Sequence, residues 1–200
     1  MNNLFRFGMT LSVMLIFTAC VEQKHELADN YFLAGEYEKA IAEYDKVLQI
    51  KPRNIVALYN RARAYEELGI EAKAVEGFNQ VLKLDPDHVQ ARLSLGNIRF
   101  RNGDYEGALY QYNKIVKKYP QNSEALMFRG KAYAKLGKVK EAMQDYNSAI
   151  RTNAQNGQAY LYRGILRANT KRIKAACADF HKALQLGVEE AQLGLDKYCK

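Results

Sequence analysis

The sequence predicts an all-α chain built from a repeated helix hairpin, and three residue types at one spacing predict it. Alanine recurs at Ala40, Ala74, Ala108, Ala142 and Ala176, in steps of 34 residues. Glycine keeps the same register at Gly35, Gly69, Gly103 and Gly137, and proline at Pro52, Pro86 and Pro120. Each type has a physical task. The alanine lets two helices approach closely, the glycine accepts the left-handed backbone that closes one helix and reverses the chain, and the proline stops the next. Within Lys138 to Thr152, the residues Ala142, Tyr146, Ala149 and Ile150 gather on one helical stripe. One hairpin cannot cover its own stripe, so successive hairpins must stack into a solenoid. No Gly/Ser/Pro-rich linker divides the repeats, which predicts one continuous array.

The stretch from Ile55 to His88 carries the full pattern, with Ala62 at the helix contact, Tyr65 and Phe78 beside it, Gly69 at the turn and Pro86 at the end. Small first-helix residues (Ala28, Ala62, Gly96, Gly130, Gly164) and second-helix aromatics (Tyr44, Phe78, Tyr112, Tyr146, Phe180) repeat it along the chain. Residues 21 to about 190 resemble the tetratricopeptide repeat (TPR) family, whose period is the same. The resemblance implies a right-handed superhelical solenoid of about five hairpins, at residues 21–54, 55–88, 89–122, 123–156 and 157–190, with about eleven helices in all. Its concave side is then lined by the first helix of each hairpin. The later repeats depart, with Lys171 in the glycine position of the fifth, and Ala154 and Val188 in the proline positions of the fourth and fifth. Late repeats often cap a stack. Glu189 to Tyr198 reads as a final helix that covers the fifth hairpin with Ala191, Leu195 and Leu193, and the capping segment beyond the fifth repeat is set at 191–200. Tyr31, Tyr44, Tyr65, Tyr112, Tyr133 and Tyr146 occupy repeat positions and are expected in the core.

Residues 1–20 read as a signal segment. Arg6 is their only charge, an apolar run spans Phe7 to Phe17, and Thr18, Ala19 and Cys20 follow. The run is shorter than the about 20 apolar residues a bilayer span needs. The tetrad Phe17, Thr18, Ala19, Cys20 is similar to the bacterial lipobox, with phenylalanine where leucine is usual. That likeness implies lipidation of Cys20 and a membrane-anchored protein of the cell envelope, outside the cytoplasm. An ordinary signal cut near Ala19 is the alternative. Val21, rather than an aspartate resembling a retention signal, favours the outer membrane.

The formal net charge is +8, unevenly spread. Basic and acidic residues number five and seven over 21–54, and four and six over 55–88. They number six and two over 89–122, six and three over 123–156, and eight and four over 157–200. Nucleic acid is not an expected partner of an exported chain. The basic half instead implies either an acidic protein segment or an anionic envelope polymer.

Catalysis is not expected. His25, His88 and His181 lie in different repeats, and no nucleophile, base and orienting group share one place. No cofactor or metal is expected either. Arg129 and Asp145, and Arg163 and Asp179, are each sixteen residues apart, which predicts an ion pair across each hairpin. Arg61 has Gly77 at the matching place and must find another partner. Cys177 and Cys199 fall on neighbouring elements at similar height. Three outcomes stand open: a disulfide, which an oxidising compartment favours, two buried thiols, or a metal site shared with His181.

The register of the family implies groove-facing positions on the first helices: Tyr59 and Arg63, then Asn97, Phe100 and Arg101, then Met127, Lys131 and Lys135, then Leu161. Apolar anchors alternate there with cations, while Asp29, Glu66 and Glu67 precede them. The set implies an acidic amphipathic segment of an envelope protein or peptide, drawn to the later repeats. The carboxylate clamp used by some relatives is not matched, since His25, Asp29, Asn60, Gln90 and Ser94 stand in its places and only Asn60 is of the clamp type.

Overall fold

The computed structural model describes residues 25–199, and Cys20 with the rest of the signal segment lies outside them. Eleven α-helices and no strand are found among the described residues. They are α1 (residues 25–33), α2 (Tyr37–Ile50), α3 (Ile55–Glu67), α4 (Glu71–Leu84), α5 (Val89–Arg101), α6 (Tyr105–Lys118), α7 (Ser123–Lys135), α8 (Val139–Thr152), α9 (Gly157–Asn169), α10 (Ile173–Gln185) and α11 (Ala191–Tyr198). The chain divides into two compact units, one ending at Ala91 and one beginning at Arg92, within α5.

The first unit holds the hairpins α1–α2 and α3–α4. Ala28, Ala40, Tyr44 and Val47 are buried in one, and Ala57, Leu58, Ala62, Ala74, Phe78 and Val81 in the other. Asn54 starts α3 by accepting the Ala57 N–H at 3.1 Å, which satisfies one of the amides a helix start leaves unpaired. The Tyr44 hydroxyl donates to Asp29 Oδ1 at 2.5 Å, and Asn60 Nδ2 donates to the same oxygen at 3.1 Å. Burial, then the hydrogen bond to Asp29, holds the Tyr44 phenol well above its ordinary pKa. Asn60, the clamp-type residue, is therefore engaged in packing.

The second unit holds α5–α6, α7–α8, α9–α10 and the single helix α11. Its logic is a ring against a bare helix. A Cβ on Gly130 would stand 2.8 Å from Cε1 of Tyr146, and one on Gly164 would stand 2.7 Å from Cε1 of Phe180. Each ring then stacks on an aromatic of the following element: Tyr112 on Phe128 at 5.7 Å, Tyr146 on Tyr162 at 6.3 Å, and Phe180 on Tyr198 at 6.3 Å. Tyr198 belongs to α11, so this short helix stands where the first helix of a further repeat would. Gly194 gives it the needed approach, since a Cβ there would lie 2.8 Å from three atoms of the Phe180 ring.

At the hairpin turns, Gly35, Gly69, Gly103 and Gly137 have φ between 71° and 79°, and Lys171 takes the same left-handed conformation with φ of 61°. Cys177 and Cys199 form a disulfide with Cα atoms 5.7 Å apart, so the free-thiol and metal alternatives do not describe this pair. Among the described residues no helix is long and apolar enough to cross a membrane.

Three expectations need correction. Tyr31, Tyr65 and Tyr133 are only half-buried, because they lie near helix ends where Lys39, Lys73 and Lys138 cover their rings at 5.4, 5.1 and 6.0 Å. Leu193 does not cover the fifth hairpin; it is 74% exposed, while Ala191 is buried and Leu195 packs on the core. The final helix begins at Ala191, at the start of the capping segment, and Glu189 and Glu190 stand before it.

Candidate functional site

Behind the site, arginines fix the hairpins. Arg129 Nη2 and Nε donate to the Asp145 carboxylate at 2.7 Å each, and Nη1 donates to Asn113 Oδ1 at 3.0 Å. Arg163 repeats this with Asp179, at 2.7 and 3.0 Å, and with Asn147 at 2.9 Å. Each arginine thus reaches sixteen residues forward within its hairpin and sixteen back into the preceding one. The Asp145 hydrogen bond, opposed by burial, raises the Arg129 pKa above its already high value. In the first unit Arg61, which faces Gly77 ahead, pairs backward with Asp45.

In the second unit the first helices of neighbouring hairpins meet around Lys131 of α7. Its Nζ lies 4.9 Å from the Phe100 ring centroid on α5 and 4.8 Å from the Tyr162 centroid on α9. Phe100 is itself held edge-on by Tyr105 at 5.1 Å. Two quadrupolar faces so placed attract the ammonium and fix where it points. Asn97, one helix away, accepts the Tyr112 hydroxyl proton at 2.7 Å, and burial holds that phenol well above its ordinary pKa. Arg101 and Lys135 are exposed on the same helices. Among the described residues, no carboxylate pairs with Lys131.

The predicted site residues do not all meet here. Tyr59 and Arg63 belong to the first unit. Tyr59 packs between Phe78 at 5.8 Å and His88 at 5.0 Å, and Arg63 pairs with Glu67 at 3.1 Å and covers the Phe32 ring. Met127 and Leu161, expected as apolar anchors, are only 5% and 6% exposed. Both stand at the register place of buried Leu93, where the side chain turns into the hairpin core. The exposed apolar surface comes instead from half-buried Phe100 and from Ile165, 40% exposed and 34 residues after Lys131. Sequence reasoning also missed Tyr162. Its signal is the sixteen-residue step shared by Tyr112 with Phe128 and Tyr146 with Tyr162.

Sequence profiles described as tetratricopeptide repeat match residues 59–123 and 99–163, and one described as TPR repeat matches 28–69. Together they run without a gap from residue 28 to residue 163. The chain belongs to the tetratricopeptide repeat family. No curated protein matches this TPR chain in sequence. Solved structures do match its fold. MamA from Desulfovibrio magneticus RS-1 is 21% identical with a TM-score of 0.73, over 84% of this chain and 94% of that one. PilW, described as a widely conserved type IV pilus biogenesis factor, is 23% identical with a TM-score of 0.73, over 84% and 77%. YrrB, described as a TPR protein with an unusual peptide-binding site, is 20% identical with a TM-score of 0.67, over 90% and 97%.

Proposed function

We propose that this TPR chain is an interaction scaffold of the bacterial cell envelope that holds an acidic amphipathic segment of a partner protein against α5, α7 and α9. The observation that carries the reading is Lys131, an ammonium oriented by the Phe100 and Tyr162 rings without a carboxylate partner among the described residues. Ordering a lysine normally opposes binding, and here the rings have ordered it in advance. Phe100 offers apolar contact beside it, Ile165 adds an exposed apolar side chain at the same register one repeat on, and Arg101 and Lys135 add positive field. The peptide-binding description of YrrB and the pilus-biogenesis description of PilW support such a role. We further propose that Cys20 is lipidated and tethers the scaffold to the outer membrane. Incorporation of labelled palmitate, abolished by Cys20→Ser, is the result expected. Its absence from the wild-type chain would refute the anchor.

The groove is tested by crosslinking in intact cells from a photoreactive residue at Lys135, with mass spectrometry of the captured partner. Combined Arg101→Glu, Lys131→Glu and Lys135→Glu changes should slow capture, and Phe100→Ala should speed release. Capture unaltered by both sets places the partner elsewhere. A binder of an anionic envelope polymer through repeats three to five is the competing reading, favoured by their excess of cations. Affinity that falls steeply with salt, and no protein captured, would select it.

A further inference from the structure

The last two hairpins differ from the first three at the turn between their helices. In the first three the turn is acidic on balance, with Glu36 and Glu38, then Glu67 and Glu71, then Asp104 and Glu106 against the single cation Arg101. In the fourth it carries Lys135, Lys138 and Lys140, and in the fifth Lys171, Arg172 and Lys174. All six cations are exposed, and among the described residues none forms an ion pair. The acid at the end of the fourth turn, Glu141, offsets one charge of the six.

Between the start of α8 and the α9–α10 turn lies a cavity of about 420 Å³ lined by Val139, Lys140, Met143, Gln144, Thr170 and Arg172. Val139 and Met143 give the lining its apolar side chains, and Lys140 and Arg172 bring to it long alkyl stems that end in a charge. Val139 is 41% exposed, and Ile173, at the same place in the next hairpin, is 37% exposed. The volume falls in the range that accommodates a discrete organic group, about 300 to 1,000 Å³. An apolar lining beside unpaired cations complements an apolar side chain flanked by carboxylates.

We propose that this cavity is a second docking site, separate from the face around Lys131, and that it takes an acidic peptide segment by one aliphatic side chain. The side chain fills the space over Val139 and Met143, and the neighbouring carboxylates meet Lys140 and Arg172. A concave opening favours such a peptide over a lipid surface. Membrane-lying helices present an apolar face outward, whereas α8 and α10 bury Ala142, Tyr146, Ala176 and Phe180.

The test uses the full chain and a fluorescein-labelled peptide in which one leucine is flanked by glutamates, read by anisotropy. A companion peptide has serine for leucine, and phosphatidylglycerol vesicles form a third arm. The leucine peptide should bind at least roughly tenfold tighter than the serine peptide, the worth of one buried aliphatic side chain. Lys140→Glu with Arg172→Glu, both at exposed positions, should weaken leucine-peptide binding at least roughly tenfold. Lys131→Glu should leave it unchanged. Equal binding of the two peptides, or capture of vesicles but not peptide, overturns the proposal. Loss of binding in Lys131→Glu alone also overturns it, and returns the peptide to the face around Lys131.

Discussion

Arg163 grips Asp179 by two parallel hydrogen bonds, Nε to Oδ2 at 3.0 Å and Nη2 to Oδ1 at 2.7 Å, and Arg167 adds a third at 2.7 Å. The Asp179 side chain is 4% exposed, and its removal leaves two guanidinium groups at the hairpin interface without a carboxylate, Arg163 keeping only its hydrogen bond to Asn147 and Arg167 only the one to the Ala175 carbonyl. Such breaks cost about 3 to 5 kcal/mol when fully buried. Arg163 and Arg167 keep 14% and 23% exposure, which places Asp179→Ala at the low end. Arg61 and Asp45 are 22% and 44% exposed, and Arg61→Ala should cost under about 1 kcal/mol. Urea unfolding of the two variants should rank them in that order.

Lys171 stands where four other turns have glycine, and its φ of 61° strains an L side chain. Lys171→Gly should stabilise the chain by about 1 kcal/mol, and Gly137→Ala should destabilise it by a similar amount. Thermal unfolding midpoints that move in the same direction for both would refute the account.

Gly164→Ala brings a Cβ to 2.7 Å from the Phe180 ring, which is itself held by α11. Overpacking of this kind costs about 1 to 3 kcal/mol. A variant as stable as the wild type in guanidinium would show that the ring can withdraw.

The Cys177–Cys199 bridge closes a loop with a sequence separation of 22 residues. Replacing both cysteines with serine should lower stability by about 3 kcal/mol. An eight-residue helix is too short to persist unaided. Hydrogen exchange should therefore accelerate first in α11 and then at Phe180.

Asp104 starts α6 by accepting the Gly107 N–H at 2.8 Å, and it receives Arg99 Nη1 at 2.8 Å. These bonds, the backbone one first, hold its carboxyl below the ordinary carboxylate range. A depressed folded value contributes stability above the unfolded value of about 3.9, and the contribution is lost as pH falls through the folded one. Asp104→Ala should cost about 1 kcal/mol at neutral pH. The gap should narrow below about pH 4, and a gap equally wide at pH 3 would remove the carboxylate from the explanation.

What was legible in the sequence is what steric demand ties to one spacing. Ala40 to Ala176, the four turn glycines and the rings from Tyr44 to Phe180 each admit few residue types, so their period reports the hairpin directly. Arg129 with Asp145 and Arg163 with Asp179 were legible for the same reason. The backward partners Asp45, Asn113 and Asn147 were not, because two of them are neutral amides that carry no charge complementary to the arginine, and the forward aspartates already account for its charge in two of the three hairpins. Met127 and Leu161 show a different limit. They sit where the apolar stripe meets the exposed face, and a small rotation of the helix decides which side they join. Tyr162 was hidden because a tyrosine at helical spacing reads as core, although its ring serves both the Tyr146 stack and Lys131.

The bridge between Cys177 and Cys199 also decides how the chain bears load. Tension applied at its carboxyl end crosses from Cys199 through the sulfurs to Cys177, in α10, and residues 178–198 lie off that path. A pulled C-terminus therefore cannot peel α11 away from Phe180. The force instead enters α10 at Cys177 and leaves it through the turn at Lys171, so the end that looks easiest to fray passes its load directly to the hairpin it caps.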